Sequence, residues 1–181
     1  EKTWAVEKDF LTVSRKEALE NSFPDSHIQY DFSHFLEKLR LQKTSDEIAI
    51  MKEAGFWADE AIKIGASILK TGITELEVVA QIEYELKKRG INEMSFDTMV
   101  LFGSNAASPH GTPGTTPLKE NQFVLFDLGV MYKGYASDIT RTLFFGSTPT
   151  DKQEKIYHLV LQAHNDAMEK ATLNMSAETL D

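Results

Sequence analysis

The stretch FVLFDLGVMYKGYASDITRTLFF, Phe123 to Phe145, decides the fold. Its two apolar runs are separated by a short polar break, the pattern of two strands joined by a tight turn. Alternation places Phe123, Leu125 and Asp127 on one face and Val124, Phe126, Leu128 and Val130 on the other. Both faces are largely apolar, which predicts a strand buried on both sides, where a carboxylate is costly unless paired. On the return strand Asp138, Thr140, Thr142 and Phe144 share a face, and Arg141 points the other way. A turn about Tyr132 and Lys133 makes Asp127 and Asp138 direct cross-strand partners with Cβ atoms roughly 4.5–5.5 Å apart. The dipeptide YK is not a favoured two-residue turn, so a diagonal arrangement stays open. A divalent cation would relieve the repulsion: such carboxylates can each hold one ion of a pair or share one ion. Two solvated aspartates at a hairpin edge account for the same spacing.

Outward from the hairpin, Thr44 with Glu47 forms a capping box, followed by Ile48, Met51, Ala54, Ala58, Ala61, Ile62, Gly65, Ile68 and Leu69 at helical spacing, predicting one long helix that ends at Gly72. Thr74 with Glu77 opens a second helix that closes on Lys87, Lys88, Arg89 and Gly90, an order that suits the helix dipole. SFDTMVLF, 95–102, reads as a strand, and GSNAASPHGTPGTTPL, 103–118, as a Gly/Ser/Pro loop. Thr150 with Gln153 starts a further helix after the hairpin. Helices segregated from a hairpin-rich sheet predict an α+β layer fold. Residues 1–39 read as the end of a smaller α/β domain, with TWAV, FLTV and HIQY as short strands and Ser14 with Glu17 capping a helix that stops before Pro24. HFLEKLRLQKT, 34–44, is the bridge to residues 40–181. The chain begins with Glu1 and ends on NMSAETLD, the opening turn of a helix, so it reads as a piece of a larger protein.

Composition narrows the function classes. A net charge of -9 without a Lys/Arg cluster argues against nucleic acid and anionic lipid as partners. The apolar runs are too short for a membrane span, and the absence of cysteine removes disulfides, thiolate metal sites and a Cys nucleophile. A soluble, cytoplasmic protein is the expectation.

Taken together, LRLQKTSDEIAIMKEAG, SFDTMVLFGSNAASPHGTP and FVLFDLGVMYKGYASDITRT resemble the pita-bread-fold metallopeptidases, specifically the Xaa-Pro dipeptidase (prolidase) and aminopeptidase P branch. The motif Asp of FDLG, the Asp of SDITRT eleven residues later and the His of SPHG seventeen residues before the first Asp stand at the family's spacing. The resemblance implies that residues 40–181 are the first half of a creatinase/aminopeptidase-type catalytic domain. It implies that Asp127 and Asp138 are metal ligands, Asp127 bidentate on one ion and Asp138 bridging both. Thr140 would orient that site, His110 would contact substrate or pass protons near the scissile bond, and Phe96 would wall the pocket for the first substrate residue. The implied cofactors are two divalent ions, Mn²⁺ first, with Co²⁺, Zn²⁺ or Fe²⁺ as candidates. The implied substrates are short peptides with proline second, and many relatives pair as homodimers. Members of the family complete the site with one His and two Glu from the second half of the fold, so this chain alone is expected to bind metal poorly and hydrolyse nothing. Plain readings stand beside these: a solvated loop histidine for His110, a good strand former for Thr140 and a core ring for Phe96. His158 and His164, six apart on a helix, do not suggest a site. Methionine aminopeptidase, creatinase-like hydrolysis and a non-catalytic peptide-binding module of the same fold are the competing functions.

Overall fold

The computed structural model describes residues 2–180, which fall into two units, one up to Ala49 and one from Ile50. In the first unit β1 (Lys2–Val6) and β2 (Ser26–Asp31) pair in parallel through α1 (Val13–Ser22), and α2 (Ser33–Leu41) follows. Two local expectations fail here. FLTV is a turn running into α1 rather than a strand, and the cap is Thr12, whose hydroxyl accepts from Arg15 N, rather than Ser14. Thr12 holds extended backbone at φ -68° and ψ 152°, the conformation an N-cap needs, whereas Ser14 already lies inside the helix.

Helix α3 (Ser45–Ser67) opens on the Thr44 and Glu47 exchange: the Thr44 N–H donates to the Glu47 carboxylate and the Glu47 N–H to the Thr44 hydroxyl. It stops at Ser67 rather than reaching Gly72: the N–H groups of Ile68 and Leu69 donate three residues back, to the carbonyls of Gly65 and Ala66 at 3.4 Å, while the Ser67 hydroxyl donates to Ile64 O. Both apolar residues still pack on the core. Helix α4 (Glu75–Lys88) has the full Thr74–Glu77 capping box. The Thr74 N–H, then its hydroxyl, hold the Glu77 carboxyl below its usual value. A depressed carboxyl contributes stability above its unfolded range and loses it as pH falls through the folded value. Acid titration of Glu77→Gln should therefore lack the low-pH loss assignable to this carboxylate, whereas Thr74→Ala, which keeps the N–H, should lack only the hydroxyl's smaller share; urea midpoints at pH 7 and below Glu77's folded value would read both.

The second unit is built on an antiparallel sheet, β3 (Met99–Phe102), β4 (Gln122–Leu128) and β7 (Ile139–Phe145), in the order β3-β4-β7. A short ladder of β5 (Met131–Tyr132) and β6 (Tyr135–Ala136) continues the hairpin. α5 (Asp151–Lys170) follows with its Thr150–Gln153 box intact. Of the expected strand 95–102 only the second half pairs, since Ser95 is drawn away to Gly129.

One face of the sheet is core. Val100, Phe102, Val124, Phe126, Leu128 and Val130 are buried with Ala54, Ala58 and Ala61 of α3 and Val78, Ile82 and Leu86 of α4. Each large side chain so buried contributes about 1.5–3 kcal/mol relative to exposure. The other face, with Phe123, Leu125 and Asp127, is half-buried. β4 is thus fully covered on one side and only partly on the other, so Asp127 is half-buried rather than enclosed as expected. Among the described residues no helix is long and apolar enough to cross a membrane.

Candidate functional site

The turn sets the geometry of the two aspartates. Lys133 and Gly134 are its central residues, both at positive φ, 49° and 84°, as a type I′ hairpin requires. The turn is therefore one residue later than the Tyr132–Lys133 expectation, and the register shifts by two. Asp127 faces Thr140, not Asp138. The shift follows from Gly134, which accepts φ > 0 at no steric cost where Lys133 alone would not suffice. The ladder continues through Ser137 N–H to Val130 O, which sets Gly129 across from Asp138. Asp127 and Asp138 therefore share a face as diagonal neighbours, at about 7–8 Å between their positions.

Three contacts organise this face. The Thr140 hydroxyl donates to Asp127 Oδ1 at 3.0 Å. Ser95 ties the ends of the two strands together, its N–H donating to Gly129 O at 2.9 Å and its hydroxyl to Ser137 O at 2.7 Å. Phe96, the next residue, is 38% exposed and lies outside the buried core. Gly111 supplies the third contact. A Cβ there would meet Leu101 Cδ1 at 2.6 Å, and Leu101 pairs with Leu125 on the Asp127 face. The loop bearing His110 thus lies over the same sheet face as Asp127, with His110 itself exposed.

Asp138 and Thr140 also line a cleft along the β7 edge with Lys52, Phe56, Asp59 and His164. Helical spacing gives His158 and His164 no common site, yet His164 lines the same cleft as Asp138, a placement that depends on tertiary structure rather than on local sequence. Sequence reasoning also missed Glu75, a fully buried carboxylate at the start of α4.

Asp127 and Asp138 offer carboxylate oxygens, donors of the kind hard divalent ions take. Among the described residues no three His, Cys, Asp or Glu side chains group closely enough to hold a metal ion. The residues fit a divalent ion in kind and supply only part of its coordination shell. The Thr140 hydroxyl is placed to fix the orientation of Asp127; if Asp127 ligates a metal in the complete protein, Thr140→Val should cost about 10–100-fold in metal affinity with little change in fold. Isothermal titration with Mn²⁺ against thermal melting would read both.

The model of metallopeptidase family M24 matches residues 49–181. The Xaa-Pro dipeptidase of Lactobacillus helveticus is 46% identical over 180 residues, 99% of this chain and 49% of that protein. Among solved structures, the X-Pro aminopeptidase of Thermotoga maritima superposes with a TM-score of 0.92 at 28% identity, over 99% of this chain and 51% of that one. The Xaa-Pro dipeptidase of Bacillus anthracis gives a TM-score of 0.88 at 36% identity, over 99% of this chain and 50% of that one. The chain thus spans about half the length of the curated relatives it matches, and its α+β architecture is that of the N-terminal half of these proteins.

Proposed function

The chain belongs to metallopeptidase family M24, and from that membership we propose that the complete protein hydrolyses the Xaa-Pro bond of short peptides with two divalent ions. The observation that carries the reading is Asp127, its Thr140 partner and Asp138 on one open face of an antiparallel pair. In this reading Asp127 and Asp138 hold the ions, with Mn²⁺ expected from an oxygen-rich donor set. Bound ions would supply Lewis-acid activation of the peptide carbonyl and of the attacking water. The protein's own side chains do the rest. Thr140 keeps Asp127 in one rotamer, Phe96 offers an apolar wall for the residue before proline, and His110 donates to or accepts from the substrate from the loop above the face. Residues 1–39 are the end of an N-terminal domain and 40–181 the first half of the catalytic one, in a cytoplasmic homodimer.

Two carboxylates fall short of a complete shell, so this chain alone should be inactive. The complete protein with Mn²⁺ should cleave an Xaa-Pro dipeptide, and the 181-residue chain should show no turnover above buffer. Comparing Xaa-Pro with Xaa-Pro-Xaa peptides separates a dipeptidase from an aminopeptidase P. Preferential cleavage of Met-Gly peptides by the complete protein would overturn the assignment.

A further inference from the structure

Glu75 has no part in the reading above, yet its carboxylate is fully buried. Burial of such a group is costly unless its oxygens are satisfied. Here they are satisfied from both ends of one loop. Oε1 accepts from Phe102 N at 2.8 Å and from Asn105 Nδ2 at 3.0 Å, and Oε2 accepts from Gly114 N at 2.8 Å. The backbone of the same helix start adds to this: Leu76 N–H donates to Gly114 O at 3.1 Å and Glu75 N–H to Thr116 O at 3.3 Å. Asn105 Nδ2 also reaches Thr116 Oγ1 at 3.1 Å, closing the two loop limbs on each other. Between these limbs lie Ser108, His110 and Gly111, with Gly111 seated on Leu101 of the Asp127 face. All three donors to the carboxylate are neutral N–H groups, so the side chain acts as an acceptor clamp at a helix N-terminus, where negative charge is favoured.

We infer that Glu75 is a positioning residue that clamps the 103–117 loop and so holds His110 over the Asp127 face. The inference rests on the proposed role of His110, and its test is built so that the two fail separately. Glu75→Gln keeps the volume and one acceptor for Phe102 and Asn105, but turns an amide NH₂ toward the Gly114 N–H. Limited proteolysis of the 181-residue chain, with cuts mapped by mass spectrometry, should then show cleavage within residues 103–117 about tenfold faster or more, with cuts elsewhere unchanged. An unchanged loop rate overturns the inference, and so does an equal rise along α4, which would make Glu75 a general support of the core. Should Glu75→Gln fail to fold, Asn105→Ala removes one loop donor, leaves α4 untouched and carries the same prediction with a smaller effect. In the complete protein, turnover by the Glu75→Gln and His110→Ala double variant should be no slower than by His110→Ala alone, while Glu75→Gln alone lowers kcat more than it raises KM. Losses that multiply overturn the positioning role. Full activity of His110→Ala with a slow Glu75→Gln overturns the role of His110 and, with it, a clamp acting through that residue.

Discussion

Asp127→Asn is expected to abolish Xaa-Pro hydrolysis by the complete protein and to leave the fold of this chain intact. The amide matches the carboxylate in shape, and its oxygen can still accept from the Thr140 hydroxyl that reaches Asp127 Oδ1 at 3.0 Å. What it loses is charge and the capacity to ligate with both oxygens. Losing an outer partner such as Thr140 costs roughly 10–100-fold in metal affinity, so losing a ligand should exceed that, about 10³-fold or more in kcat/KM. Stability should move the other way or not at all. Asp127 and Asp138 are diagonal neighbours, and two charges about 7.5 Å apart in a water-like medium repel by only about 0.5 kcal/mol. The asparagine relieves that small repulsion, so the urea midpoint of the 181-residue chain should hold or rise slightly. For the same reason a chelator should leave that midpoint unchanged. A variant that unfolds, or one that keeps wild-type turnover, would remove Asp127 from the metal site.

That electrostatic argument differs from the one the sequence invites, and the difference lies in one turn. A turn placed about Tyr132–Lys133 sets the aspartates face to face in a closed interior, with the diagonal arrangement left open, and calls on a cation to relieve their repulsion. Gly134 was the available signal: a glycine at the second central position of a two-residue turn favours Lys133–Gly134. The face was misjudged for another reason. Alternation reports which residues are apolar, not how many layers cover them, and α3 and α4 cover only the Val124, Phe126 and Leu128 side. Phe123 and Leu125 are as apolar and remain half-buried. Helices were the most legible part because each carries its own punctuation, as Thr74–Glu77 and Thr150–Gln153 show. Where punctuation was ambiguous, at Thr12 and Ser14, the reading slipped by two residues. Glu75 was invisible in principle: a glutamate in the first turn of a helix is ordinary, and only the loop folding back on it buries the carboxylate.

Gly129→Ala should damage both halves of this picture at once. Gly129 lies across from Asp138, and a Cβ added to it would overlap the carbonyl oxygen of Ser137 and press on Ser95 Oγ at 2.7 Å. Neither neighbour can yield cheaply. The Ser137 backbone is fixed by its N–H bond to Val130 O at 3.0 Å, and the Ser95 hydroxyl is spent on Ser137 O. The strands must therefore part where they are tied together, and overpacking against backbone in a buried position costs about 3 kcal/mol, at the upper end of ordinary single substitutions. The urea midpoint of the chain should fall accordingly with its slope unchanged. Parting the strands also moves the Asp138 backbone away from β4, so in the complete protein the remaining folded population should bind Mn²⁺ more weakly than wild type. Gly134→Ala strains only the turn at φ 84°, remote from Ser137 O, and should lower stability by about 1 kcal/mol while sparing metal affinity. If Gly129→Ala lost stability but bound Mn²⁺ normally, the close approach of the strands would be a packing device alone, and the spacing of Asp127 and Asp138 would be set by the Lys133–Gly134 turn instead.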